Sequence, residues 1–225
     1  MSAFLDSAGL RLNGVAMRYY ADPGFKLGAF THPDPSVAIV TETGEYGAVI
    51  VSGEIHEFEF SALEFSRDCK MVLLQNEMAP DLLPAVAAAA RKCGAQVVWN
   101  AAPAKDIQIR DLHLADTLIV NAVEAADILA RDDMGPDPAA VLQGLAQRAP
   151  NAEIILTLGR DGVAFCAPQG PGEIIAAHAV EVISTHGAGD VFVGTFAANR
   201  LRGSSLSQAV VAAQDAAGAH ISQRR

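Results

Sequence analysis

Ser184-Thr185-His186-Gly187-Ala188-Gly189-Asp190 sets two glycines and a carboxylate at the junction of a β-branched run and a helical pattern. The chemistry that such a junction suits is phosphoryl transfer. Gly187 and Gly189 allow a tight turn that faces backbone N–H groups outward, and a helix start attracts anions through unpaired donors and its dipole. Asp190 stands where a developing negative charge and a base could meet. Two elements must hold this turn: Val180 to Ile183 reads as a short buried strand, and Val191 to Arg202 as a helix with apolar residues at helical spacing. The blander reading is a capped strand-to-helix turn with no chemistry.

Three further polar turns close apolar runs upstream. Val97-Val98-Trp99 leads into Asn100-Ala101-Ala102-Pro103-Ala104, Leu118 to Val120 into Asn121-Ala122-Val123-Glu124, and Ile154-Ile155-Leu156 into Thr157-Leu158-Gly159-Arg160-Asp161-Gly162. Strands are predicted at Met71 to Gln75, Ala95 to Asn100, Thr117 to Asn121 and Ile154 to Leu158, with a helix over Asp81 to Cys93. Such alternation builds a parallel sheet covered on both faces, with ligands gathering at the carboxyl ends of its strands. Asp133 to Pro138 reads as a loop. The last helix starts at Ser204-Ser205, and Val210, Val211, Ala213, Ala217 and Ile221 are expected to share its apolar side. Residues 27–55 differ in character, with β-branched runs at Val37 to Val40 and Tyr46 to Val51 that predict a hairpin.

In this order the four motifs resemble those of the ribokinase-like (PfkB) carbohydrate kinases, whose Asp-Thr-x-Gly-Ala-Gly-Asp signature corresponds to residues 184–190. The resemblance implies an α/β fold, a ribokinase-like three-layer α/β/α sandwich with a mostly parallel sheet and a partial β lid at 27–55, the whole of 1–225 being one incomplete domain. It implies ATP-dependent phosphorylation of a sugar or sugar-like hydroxymethyl group, with Asp190 as catalytic base and Gly187, Ala188 and Gly189 as the anion hole. Asn121, Glu124, Thr157, Gly159 and Gly162 fall on the family's nucleotide side, and Glu124 would order Mg²⁺ through water. Glu77 corresponds to a sugar-contacting Glu, or else is a solvated residue leading into a helix. Ser184 replaces an Asp that helps to hold a monovalent cation in most relatives, which leaves K⁺ dependence open. Asp215 falls near a family Asn at the adenine, and His186 stands where a small residue is usual, facing either phosphate or solvent. No pattern pairs His32, His56, His113, His178 or His220 with a partner. The lid strands of such enzymes often pair between subunits, which makes 27–55 a candidate homodimer surface.

The match spans about the last two-thirds of a family member and stops before its end, so the chain reads as a fragment or as one with an internal start. A noncatalytic nucleotide-binding or subunit-pairing remnant is therefore the alternative function. Bulk properties fit a cytoplasmic enzyme: 225 residues with 51% hydrophobic composition suffice for one α/β domain. There is no run of about 18 apolar residues, so no membrane partner is expected. A formal net charge of −10 argues against nucleic acid, which calls for a basic patch. No Gly-x-x-x-x-Gly-Lys-Ser/Thr sequence occurs, which sets aside a P-loop NTPase. Cys69, Cys93 and Cys166 lack metal-ligand spacing and read as buried free thiols.

Overall fold

A computed structural model of the chain describes residues 65, 67, 69–76, 82–104, 107–130, 135 and 137–222, together with the backbone of strands at 16–18, 29–31, 36–40 and 46–50. The chain divides into two compact units, Glu59–Ala177 and the paired segments Met1–Phe58 and His178–Arg225.

The unit Glu59–Ala177 is built on a six-stranded mixed sheet, mostly parallel, which bears out the expected α/β class. Its strands are β5 (Met71–Gln75), β6 (Gln96–Asn100), β7 (Thr117–Asn121), β8 (Glu153–Thr157), β9 (Val163–Cys166) and β10 (Glu173–Ile175), in the order β10-β9-β8-β7-β6-β5. β5 to β8 are parallel, with Met71 opposite Gln96, Val98 opposite Thr117 and Asn121 opposite Thr157. β9 and β10 add antiparallel. α1 (Leu82–Cys93) connects β5 to β6, a 3₁₀ turn (Ile109–Leu114) leads into β7, and α2 (Ala122–Leu129) and α3 (Pro138–Arg148) connect β7 to β8.

Apolar residues on alternate strand positions, among them Val97, Trp99, Leu118, Val120, Ile154 and Leu156, join one core with Val86, Ala90, Ile128, Val141 and Leu145 of the helices. The intervening positions Val98, Ile119 and Ile155 are buried too. Burial on both faces is why these strands read as near-continuous hydrophobic runs, and each buried Val, Leu or Ile contributes about 1.5–3 kcal/mol. Cys69 and Cys166 are buried and Cys93 half-buried, all free; burial pushes the Cys69 and Cys166 thiols up, away from the reactive thiolate.

In the other unit, β1 (Ala16–Arg18) pairs with β2 (Ala29–Thr31), and β3 (Ser36–Val40) with β4 (Tyr46–Ile50), both antiparallel. The predicted hairpin is the second of these. α4 (Ala188–Leu201) and α5 (Leu206–Ile221) pack on each other through a short connection. Val191, Phe192, Phe196 and Ala197 of α4 and Ala209, Val210 and Ala213 of α5 are buried. Ser205 and Gln208 close a capping box at the start of α5, where the sequence predicts it.

Three expectations are corrected. Val180 to Ile183 is not a strand: Val180 and Val182 are exposed, and the N–H groups of Ile183 and Ser184 both donate to the Ile221 carbonyl, at 2.9 and 3.3 Å. Strand propensity measures fit to a pleated, half-buried surface, and no described strand pairs with this segment. Val211 is exposed, since it lies about 100° round the helix from Val210. Within the predicted loop Asp133 to Pro138, Asp137 caps α3 by accepting from the Ala139 N–H, and Pro138 is its first residue.

The turn after β8 depends on Gly162, whose φ of 107° and ψ of −138° suit glycine alone. A Cβ there would lie 1.9 Å from the carbonyl oxygen of Ile175 in β10. Gly162→Ala is expected to lose at least about 1–3 kcal/mol, read as a lowered urea midpoint. An unchanged midpoint would show that β10 does not hold its place against this turn.

Candidate active site

The candidate residues fall into two clusters, one in each unit. In the first, β7 ends at Asn121, which is the N-cap of α2. The Asn121 Oδ1 accepts from the Glu124 N–H at 3.0 Å. Glu124 answers with both oxygens, Oε2 accepting from the Asn121 N–H at 2.8 Å and Oε1 from its Nδ2 at 2.9 Å. This capping box satisfies donors that a helix start otherwise leaves orphaned. Glu124 is only 7% exposed. Burial pushes its carboxyl from 4.5 up to about 7, the Asn121 bonds hold it down, and nearby Asp127 adds repulsion.

Thr157 lies beside Asn121 in register, and its Oγ1 donates to the Val120 carbonyl at 3.4 Å. Gly159, Arg160 and Asp161 form an exposed 3₁₀ turn that Gly162 closes, its carbonyl accepting from the Leu158 N–H at 2.8 Å. Asn121, Glu124, Thr157, Gly159 and Gly162 are thus brought together around the carboxyl ends of two adjacent parallel strands. Asn100 ends β6 and is buried, and the Asn76 Nδ2 donates to the Pro103 carbonyl at 2.6 Å, joining the ends of β5 and β6.

The second cluster is the start of α4. Gly187 is its N-cap in the left-handed region, at φ 76° and ψ 3°, and Gly189 and Asp190 lie in the first turn. The Ala188 N–H donates to the Thr185 carbonyl at 3.2 Å and the Val191 N–H to the Gly187 carbonyl at 3.0 Å. The N–H groups of Gly187 and Gly189 have no acceptor among the described residues. Asp190 is half-buried and lies in the same first turn. The fourth motif therefore follows an irregular segment, whereas the other three follow strands.

Asp215 is half-exposed and pairs with His178 at 3.5 Å, an exposed contact of small energetic weight. Glu77 lies outside the described residues. His220, without a partner in the sequence pattern, contacts the loop before α4: its Nε2 lies 2.9 Å from the His186 carbonyl oxygen. A separation of 34 positions along the chain hides that relation from any local pattern.

Glu124 fits an outer-shell role toward Mg²⁺. Its oxygens each accept one bond, which leaves lone pairs for water, and a carboxylate that burial disfavours gains from a nearby cation. Among the described residues no three His, Cys, Asp or Glu side chains gather as a metal cage, and no helix is long and apolar enough to cross a membrane.

The sequence matches the pfkB family of carbohydrate kinases over residues 31–225, and the chain belongs to that family. The ribokinase of Haemophilus influenzae is 29% identical over 192 residues, covering 82% of this chain, and the chain spans 61% of that protein's length. The Cryptococcus neoformans var. grubii ribokinase, solved with ADP, superposes with a TM-score of 0.71 at 25% identity, over 84% of this chain and 66% of that one. The Arabidopsis thaliana ribokinase, solved with ribose and ATP, gives 0.71 at 22% identity, over 84% and 63%. At 22% identity the likeness concerns the fold.

A Glu124 carboxyl near 7 when folded and near 4.5 when unfolded binds more protons in the native state between those values. Stability from this group is therefore full below about pH 4.5 and falls by up to about 3 kcal/mol as pH rises toward 7. Glu124→Gln removes the titration, so its urea midpoint should vary less across that window than the parent's. Equal pH profiles for the two proteins would refute the shifted carboxyl.

Proposed function

We propose that the protein transfers the γ-phosphoryl group of ATP to a hydroxymethyl oxygen of a sugar or sugar-like acceptor. The observation that carries this reading is the α4 start, where Gly187 and Gly189 hold N–H groups without acceptors among the described residues and Asp190 sits in the same turn. Family membership supports the reaction class. Ribose and ATP bound to the Arabidopsis thaliana ribokinase support the substrate class. Because the chain spans 61% of the length of the Haemophilus influenzae relative, the full activity belongs to this proposal.

In the proposed step the acceptor oxygen forms a bond to phosphorus as the bond to the leaving ADP oxygen breaks, and the acceptor proton passes to the Asp190 carboxylate. Positioning and charge neutralisation supply most of the acceleration. The N–H groups of Gly187 and Gly189 stabilise the transferring group, while that of Ala188 is shared with the Thr185 carbonyl. Asn121, Thr157, Gly159 and Gly162 line the nucleotide, and Glu77 contacts the acceptor. Glu124, through water, would help to hold Mg²⁺, which would supply neutralisation of phosphate charge. Residues 1–225 are read as one ribokinase-like domain, with 27–55 as a lid whose strands pair in a homodimer.

Asp190→Asn keeps the side-chain shape and removes the base. A coupled ADP-release assay over pentoses, hexoses and nucleosides should show turnover reduced about 10²–10⁴-fold with ATP affinity nearly unchanged. Full turnover in the variant would remove Asp190 from the chemistry. ATP binding without ADP release from any acceptor, in the parent chain, would favour the noncatalytic nucleotide-binding alternative.

A further inference from the structure

The loop that carries the proposed phosphoryl-binding amides has no ladder to hold it. Residues 180–183 pair with no described strand, and Val180 and Val182 are exposed. What grips it is the last turn of α5. The Ile221 carbonyl accepts from the N–H groups of Ile183 and Ser184. One residue earlier, the His220 ring reaches the His186 carbonyl at 2.9 Å. A carbonyl only accepts, so the ring nitrogen in this contact is a donor, Nε2–H. The same ring lies against Gly187, where a Cβ would meet Nε2 at 3.3 Å and Cε1 at 3.9 Å.

The His186 carbonyl and the Gly187 N–H belong to one peptide group, which is planar and trans, so they point in opposite directions. A donor that fixes the carbonyl toward α5 thereby aims the Gly187 N–H away from α5. Hydrogen bonding to the carbonyl also polarises the amide and strengthens its N–H as a donor. The Ile221 contacts are main-chain and form with many sequences. The His220 contact, by contrast, is written in a side chain.

We propose that His220 is a positioning residue for phosphoryl transfer, its Nε2–H orienting the His186–Gly187 peptide so that the Gly187 N–H faces the transferred group. This assignment rests on the kinase reading above, and its geometry can be tested without turnover. Three full-length chains serve: the parent, His220→Leu, which removes the donor, and His220→Gln, whose amide nitrogen reaches about as far as Nε2.

Hydrogen exchange over residues 183–191 should be about tenfold faster in His220→Leu, the scale of one lost hydrogen bond, and near the parent's in His220→Gln. With an active acceptor, kcat should fall up to about 10²-fold in His220→Leu with little change in KM for ATP, and recover in His220→Gln. Equal exchange in all three chains, or equally fast exchange in both variants, overturns the assignment. If His220→Leu does not fold, His220→Asn, whose amide is too short, takes its place under the same criteria. A parent chain with no turnover on any acceptor counts against the kinase reading, while the exchange comparison still decides the role of His220.

Discussion

The reciprocal bond between Asn121 and Glu124 is the constraint from which the first cluster takes its form. It ends β7, starts α2 and holds a carboxylate that burial alone would drive to the neutral acid. A parallel strand buried on both faces has nowhere to place a polar side chain except its end. The end of β7 is therefore where polar groups collect, and its register with β8 brings Thr157 and the turn after it alongside. Fold and candidate site are thus set by one arrangement: the same hydrogen bonds that let the strand stop also assemble the polar group.

The second cluster follows a different rule. No strand delivers its loop, and the α4–α5 pair supplies what a sheet supplies elsewhere. Apolar burial along the two helices fixes their register, and that register decides which residues of the last turn of α5 meet the loop before α4. Packing far from the Gly-Ala-Gly turn therefore governs the direction of its N–H groups.

Much of this was legible in the residues. β5 and β7 match their predicted limits because each is an apolar run bounded by polar residues. β8 begins one residue earlier than its apolar run and ends one earlier than predicted. Glu153 already pairs with Thr117, whose hydroxyl donates to its carboxylate at 3.0 Å. α2 is hidden in the sequence because Asn-x-x-Glu before an apolar stretch reads equally as a ligand motif and as a helix start. α3 is missed in the sequence because its cap and first residue, Asp137-Pro138, fall in a stretch that reads as a loop. β9 and β10, of 4 and 3 residues, are too short for periodicity to mark. Contiguous motifs exposed most candidate residues; His220 escaped because its contact is tertiary.

The mixed direction of the sheet bears on how the unit Glu59–Ala177 acquires its structure. β8, β9 and β10 follow one another antiparallel through short turns, so their pairing closes small loops. The parallel pairs β5–β6, β6–β7 and β7–β8 each wait on a longer crossover, and β7–β8 must span two helices. Closing entropy rises with separation along the chain, and rates fall with contact order. The antiparallel end is thus expected to seed the sheet, and in pulse-labelled refolding its amides should gain protection ahead of β5 and β6. Gly162 sits in the middle of that seed, so the backbone freedom of one residue bears on the speed of assembly as well as on the final shape.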